Sequence, residues 1–148
     1  MALLNTKNPW RCRGQESYAY EVAQQFDYEV GDLALFVPVG NAGNITAIMS
    51  GFLKMFRYGL IDRLPKIVAV QSSHADPVFQ YYSKPPSERK YQPVTVRPSV
   101  AQAAMNGDPV SFPRVLTMVG EYTRINGEGR FQVGHVTAQA RMDTLLQA

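Results

Sequence analysis

The sequence predicts an α/β fold built on a partial parallel sheet with flanking helices. Three observations carry this. Leu33, Ala34, Leu35, Phe36 and Val37 form a short continuous apolar run, as expected of a strand buried on both faces. After a glycine loop, apolar residues recur at Ile45, Ile48, Met49, Phe52 and Phe56, one face of a helix that Gly59 stops. A second apolar run, Lys66-Ile67-Val68-Ala69-Val70-Gln71, then reads as another buried strand. Strand, helix and strand of these lengths make a βαβ unit, so the two strands should be parallel neighbours.

The remaining elements follow in chain order. Met1 to Arg13 reads as short and irregular, with a turn at Asn8-Pro9. Gln15 to Phe26 reads as one helix, because Ala19, Val22, Ala23 and Phe26 share a face. Asp27 to Asp32 is a polar connection, with Asp32 as a solvated turn residue. Leu60 to Pro65 is a short link. Pro77 to Pro98 begins helically through Val78, Phe79, Tyr81 and Tyr82 and continues as an exposed proline-rich loop. Ser99 is placed to cap a short helix from Val100 to Met105, closed by Asn106-Gly107. Ser111 caps a longer helix with Pro113 in its first turn, and Asn126-Gly127 closes it. Phe131 to Val136 reads as a strand, and Thr137 opens a last helix with Ala138, Met142, Leu145 and Leu146 apolar. Three strands leave sheet surface and edges in need of cover, so the chain is expected to associate or to be poorly soluble.

The loop Gly40-Asn41-Ala42-Gly43-Asn44 is where chemistry is expected. The first turn of a helix leaves N–H groups without intrahelical partners, and the helix dipole places partial positive charge there. Gly40 and Gly43 let the backbone bend and an anion come close, while Asn41 and Asn44 can donate from their side chains, with Asn44 suited to cap the helix. No Lys-Ser or Lys-Thr follows, and the pattern is not G-x-G-x-x-G. Such a loop either holds one phosphate on neutral donors or is a bare strand-to-helix turn. Ligands of parallel sheets sit beyond the carboxyl ends of the strands. There the glycine loop meets Gln71, Ser72, Ser73 and His74.

Other classes of function find little support. The net charge of +3 on 148 residues is mild, and no Lys/Arg cluster is dense enough for a nucleic-acid face. The single cysteine, Cys12, allows no intrachain disulfide and fits a reducing, cytoplasmic setting. No apolar run approaches the ~20 residues that span a membrane, and no secretory pattern opens the chain. Cys12 has no histidine near it in sequence, and His74, His135 and Cys12 lie too far apart to read as a metal site. His74 reads better as a polar loop residue than as a general acid or base, and His135 as a strand-surface residue. Trp10 and Arg11 could border the site, although a packed tryptophan is commoner.

The segment PVGNAGNITAIMSGFLKMFRYGLIDRLPKIVAVQS resembles threonine synthase, a pyridoxal-phosphate enzyme of fold type II (tryptophan synthase beta-like). The likeness extends upstream to LNTKNPWRCRGQESYAYEVAQQF and downstream to PVTVRPSVAQAAMNGDPVSFPRV. It implies that Gly40, Asn41, Ala42, Gly43 and Asn44 cradle the phosphate of pyridoxal 5′-phosphate. It also implies conversion of O-phospho-L-homoserine and water to L-threonine and phosphate, with neither nucleic acid nor membrane as partner, and it allows a homodimer of the complete protein. Residues 1–14 would be the return path from the family's small domain and 15–148 a portion of its large, cofactor-binding domain. The family's Schiff-base lysine lies in a Ser-x-Lys-Asp-Arg type motif, and Lys7, Lys54, Lys66, Lys84 and Lys90 all lack that context. Its segment for the pyridine nitrogen would follow Ala148. The sequence is therefore expected to be an internal portion of such an enzyme, inactive alone and without an assignable catalytic residue. Another fold type II enzyme, a dehydratase or sulfhydrylase, and an inactive remnant are the alternatives.

Overall fold

The computed structural model describes residues 8–99 and 101–136. The helix expected from Thr137 lies outside them. Three parallel strands, β1 (Ala34–Pro38), β2 (Lys66–Ser72) and β3 (Phe131–Val136), form one sheet in the order β1-β2-β3. Leu35 pairs with Ile67 and Val37 with Ala69, while Ile67 and Ala69 face Phe131 and Val133 on the other side. The expected βαβ unit is present, with α3 (Gly43–Arg57) between β1 and β2.

The amino-terminal reading needs two corrections. Asn8-Pro9 starts a helix rather than a turn: α1 (Pro9–Gln15) has Pro9 in its first turn, and Asn8 Oδ1 accepts the Trp10 N–H at 2.9 Å. Proline at this position loses only an N–H that the helix could not use. The single helix expected from Gln15 begins as α2 (Ser17–Gln25), with Glu16 as the joint. Glu16 is buried, and its carboxylate accepts from Ser50 Oγ at 2.8 Å and pairs with Lys54 Nζ, both on α3. Ala19 and Ala23 are fully buried, and small side chains there bring α2 close to α3. A Cβ at Gly51 would lie 2.7 Å from Ala19 Cβ and 2.9 Å from Glu16 O, so the helices meet where only glycine fits.

Helix α3 is buried on more than the one predicted face. Ala47, Leu53 and Met55 join Ile45, Ile48, Met49 and Phe52 in the core, because α1, α2 and α5 (Phe112–Asn126) all pack on it. Its end is a Schellman turn: Gly59 takes φ +70°, Gly59 N–H reaches Phe56 O and Leu60 N–H reaches Met55 O.

The strands depart from the expected double burial. Leu35, Val37, Ile67 and Ala69 face the core, but Phe36 is 70% exposed, and Val68 and Val70 are half-buried. Among the described residues only one face of the sheet is covered. The continuous apolar run meant material for two covered faces, and the second cover is not among these residues.

Beyond β2, α4 (Pro77–Tyr82) starts as expected, and a single 3-10 turn, Pro86–Glu88, begins the exposed stretch. The helix expected from Val100 to Met105 is only a 3-10 turn, Gln102–Ala104; Ser99 Oγ does accept the Ala101 N–H at 3.3 Å. No buried side chain anchors that turn, so nothing extends it into a helix. Ser111 occupies the N-cap position of α5 without a side-chain capping bond, and Gly127 closes that helix at φ +74°.

Tyr122, on α5, is fully buried and its hydroxyl meets no partner among the described residues. Burial pushes that hydroxyl's pKa far upward, so it stays neutral. Tyr122→Phe is expected to stabilise the chain by about 1 kcal/mol, read as a raised urea midpoint at unchanged slope. Phe36→Lys is expected to reduce concentration-dependent association in sedimentation velocity, because it charges the open sheet face.

Candidate functional site

The loop that leaves β1 stands at the carboxyl end of the sheet. The Val39 N–H donates to Val70 O at 2.8 Å, the last bond of the β1–β2 ladder. The chain then turns through Gly40, Asn41 and Ala42, and α3 begins at Gly43. Ala42, not Asn44, is the N-cap, and it adopts the left-handed conformation with φ 61° and ψ 8°. Asn44 lies inside the first turn, and its Nδ2 donates to Pro38 O at 2.8 Å, which ties the loop shut across its base. Thr46 Oγ1 donates to Gly43 O at 2.9 Å.

The first helix-forming bond is that from Thr46 N–H to Ala42 O, at 3.3 Å. Among the described residues no acceptor meets the backbone N–H groups of Gly40, Asn41, Ala42, Gly43, Asn44 or Ile45. Six adjacent donors at the positive end of a 15-residue helix are of the kind that suits an anion. Gly40, Asn41, Ala42, Gly43 and Asn44 border a cleft of about 410 Å³, which Pro38, Ala103 and Ala104 line from other sides. Gly40 faces the turn that carries Ala103 and Ala104: a Cβ there would stand in ordinary contact with Ala104 Cα at 3.4 Å and Ala103 O at 3.5 Å.

The five loop residues named from sequence are therefore together in one cleft. Arg11 and Gln15 also line it, one turn apart on α1. Arg11 was expected to border the site; Gln15, four residues on, was missed because Asn8-Pro9 read as a turn instead of a helix start. Trp10, expected to pack, is 81% exposed. Sequence reasoning also missed the strap that follows β2. Asn106 Nδ2 donates to Asn41 Oδ1, Ser111 N–H donates to Asn41 O at 3.3 Å, and the Asp108 N–H donates to Asn106 Oδ1 at 2.9 Å. Tyr91 Oη in turn donates to Asp108 Oδ1 at 2.6 Å. Burial first, and that hydrogen bond second, hold the Tyr91 hydroxyl above the usual tyrosine range, so it remains a donor.

The histidines and most of the strand-end polar residues serve the fold. Gln71 Oε1 accepts the N–H groups of Val78 at 3.0 Å and Phe79 at 3.1 Å, and so caps α4. His74 Nδ1 meets Pro98 O, while Arg97 N–H donates to His74 O at 3.1 Å, which fastens the strap to the end of β2. His135 sits at the rim of β3, stacks on Phe79 and shares Nδ1 with Asp76 Oδ2 at 2.7 Å. Cys12 Sγ accepts from Arg114 at 3.1 Å. No lysine lines the loop's cleft among the described residues; Lys66 starts β2 at the opposite end of the sheet, and Lys54 is paired with Glu16. The residues present thus suit a phosphate group, and they offer no amine beside it.

Known proteins resemble this chain in sequence and in fold. The profile of the family described as pyridoxal-phosphate dependent enzyme matches residues 2–133. Threonine synthase of Methanocaldococcus jannaschii is 38% identical over 117 residues, 79% of this chain and 28% of that protein. Threonine synthase 2, chloroplastic, of Arabidopsis thaliana is 38% identical over 114 residues, 77% of this chain and 22% of that protein. The chain thus spans only 22–28% of the length of these two curated relatives. The crystal structure of threonine synthase from Escherichia coli superposes with a TM-score of 0.70 at 18% identity, covering 97% of this chain and 31% of that one, which shows a common fold. With a glycine loop at the carboxyl end of a parallel strand and a match over most of its length, the chain belongs to the pyridoxal-phosphate dependent enzyme family.

Proposed function

We propose that Gly40, Asn41, Ala42, Gly43 and Asn44 hold the phosphate of pyridoxal 5′-phosphate, in a protein that acts as a threonine synthase. The observation that carries the cradle is the run of six backbone N–H groups, Gly40 to Ile45, with no acceptor among the described residues. An anion satisfies all that a neutral ligand would leave open. The reaction we infer from the resemblance is that O-phospho-L-homoserine and water give L-threonine and phosphate. Its support is the 38% identity to two proteins named threonine synthase. The bound cofactor would supply an electron sink for carbanions of an amino-acid substrate. This chain's own part is to bind and orient the phosphate end. On the same reading, residues 15–148 belong to the large, cofactor-binding domain and 1–14 lead into it. The lone Cys12 suits a reducing compartment such as the cytoplasm.

Gly43 is buried at the first helical position, in the middle of the run of N–H groups. Gly43→Asp is expected to weaken binding of pyridoxal 5′-phosphate on the order of a hundredfold, because a carboxylate would stand against the phosphate. Calorimetric titration reads this, with circular dichroism as the check that the variant folds. Unchanged affinity in a folded variant would remove the cradle assignment.

The chain is expected to bind the cofactor without turnover. Borohydride reduction after adding pyridoxal 5′-phosphate should give scattered, substoichiometric lysine labelling on peptide mapping. One stoichiometric adduct at a single lysine would show instead that the chain carries its own reactive amine. Product analysis on O-phospho-L-homoserine, threonine and O-acetylserine then separates the synthase from a dehydratase or a sulfhydrylase.

A further inference from the structure

The cradle has a neutral side chain whose orientation decides whether it attracts or repels an anion. An asparagine amide offers oxygen on one side and NH2 on the other, and a half-turn about its last torsion exchanges them. Phosphate only accepts. Asn41 is exposed and lines the cleft, whereas Asn106 stands outside that lining.

The strap removes the ambiguity by a relay with a fixed start. A backbone N–H can only donate, so the Asp108 N–H, 2.9 Å away, fixes which end of the Asn106 amide is oxygen. The other end, Nδ2, must then donate, and it meets Asn41 Oδ1 at 2.5 Å. The Asn41 oxygen is thereby occupied on the strap side. Its NH2 group, on the opposite side of the amide carbon, has no partner among the described residues. The strap is itself anchored: Val94 N–H donates to Gly107 O at 2.9 Å, and a Cβ at Gly107 would lie 2.0 Å from Val94 O. Only glycine permits that approach, so Asn106 is held next to a rigid point.

We propose that Asn106 is a positioning residue, which locks the Asn41 amide with its NH2 toward the cleft as a donor to the bound phosphate. The inference rests on the phosphate-cradle reading above. It makes the strap part of the binding site although the strap itself need not touch the ligand.

The test uses the full 148-residue chain with inorganic phosphate as the probe, followed by ¹⁵N NMR. In the unaltered chain, phosphate should shift the backbone amides of residues 40–45 and the Asn41 side-chain NH2 together. Asn106→Ala frees the amide to rotate and should weaken phosphate about fivefold, while Asn41→Ala removes the donor and should weaken it on the order of tenfold. The double variant should bind no worse than Asn41→Ala, since Asn106 acts only through Asn41. An Asn41 NH2 group that phosphate leaves unmoved while the cradle amides shift would overturn the inference, whether or not the variants fold. So would an Asn106→Ala loss that persists in full beside Asn41→Ala. Either result leaves the cradle intact. If phosphate moves none of the amides of residues 40–45, the cradle reading fails and this one falls with it.

Discussion

The turn at Ala42 is the constraint on which the site depends. A left-handed conformation costs an alanine roughly 1–2 kcal/mol, and it persists only where its surroundings fix it. Here they do so several times over. The Ala42 methyl is buried, its carbonyl accepts the Thr46 N–H, and the bonds from Val39 to Val70 and from Asn44 to Pro38 pin the loop on both sides. The reversal of φ at Ala42 brings the N–H groups before it and those of the helix behind it to one side of the chain. A single strained residue thus converts a strand-to-helix turn into a concave set of donors.

The strain is sustained by the packing of α3. This helix is buried on most of its surface, so it cannot tilt to relieve the turn. Gly51 lets α2 approach until backbone and methyl groups touch, and Glu16 ties the α1–α2 joint to Ser50 and Lys54 on the same helix. Removing Lys54 would leave a buried carboxylate with one hydroxyl for company, a costly state that would loosen the joint. The same joint sets the direction of α1, and hence where Arg11 and Gln15 stand relative to the cradle.

Much of this was legible in the residues, for reasons that differ by element. The order strand, glycine loop, helix and strand followed from two continuous apolar runs and a period of 3.6, and the parallel adjacency of β1 and β2 followed from the length of the crossover. That the five loop residues stand together at the carboxyl end of the sheet was legible, because a glycine loop between a parallel strand and its helix lies there. What periodicity could not give was partners. Asn44 looked like a cap because its type is common there, yet an alanine in an unusual conformation took the cap and freed Asn44 to close the loop. Asn106 lies 65 residues from Asn41, and no local pattern connects them. The apolar run Leu33–Val37 gave its composition faithfully but not which residues cover it, so the exposure of Phe36 could not be read.

The division of charge across the sheet bears on what these residues can contribute to a reaction. All six open N–H groups lie at the carboxyl end, while Lys66 enters at the amino end, about 13 Å of strand away from Val70. Lys54 is occupied by the buried Glu16 carboxylate. A phosphate held there on backbone dipoles would be fixed in place without a side-chain proton changing hands. Such a handle contributes orientation and affinity, and it contributes equally to ground state and transition state. On the proposed reading, the bond-breaking steps would draw on groups other than this loop, while the strap, through Asn106, would orient the Asn41 amide toward the cleft.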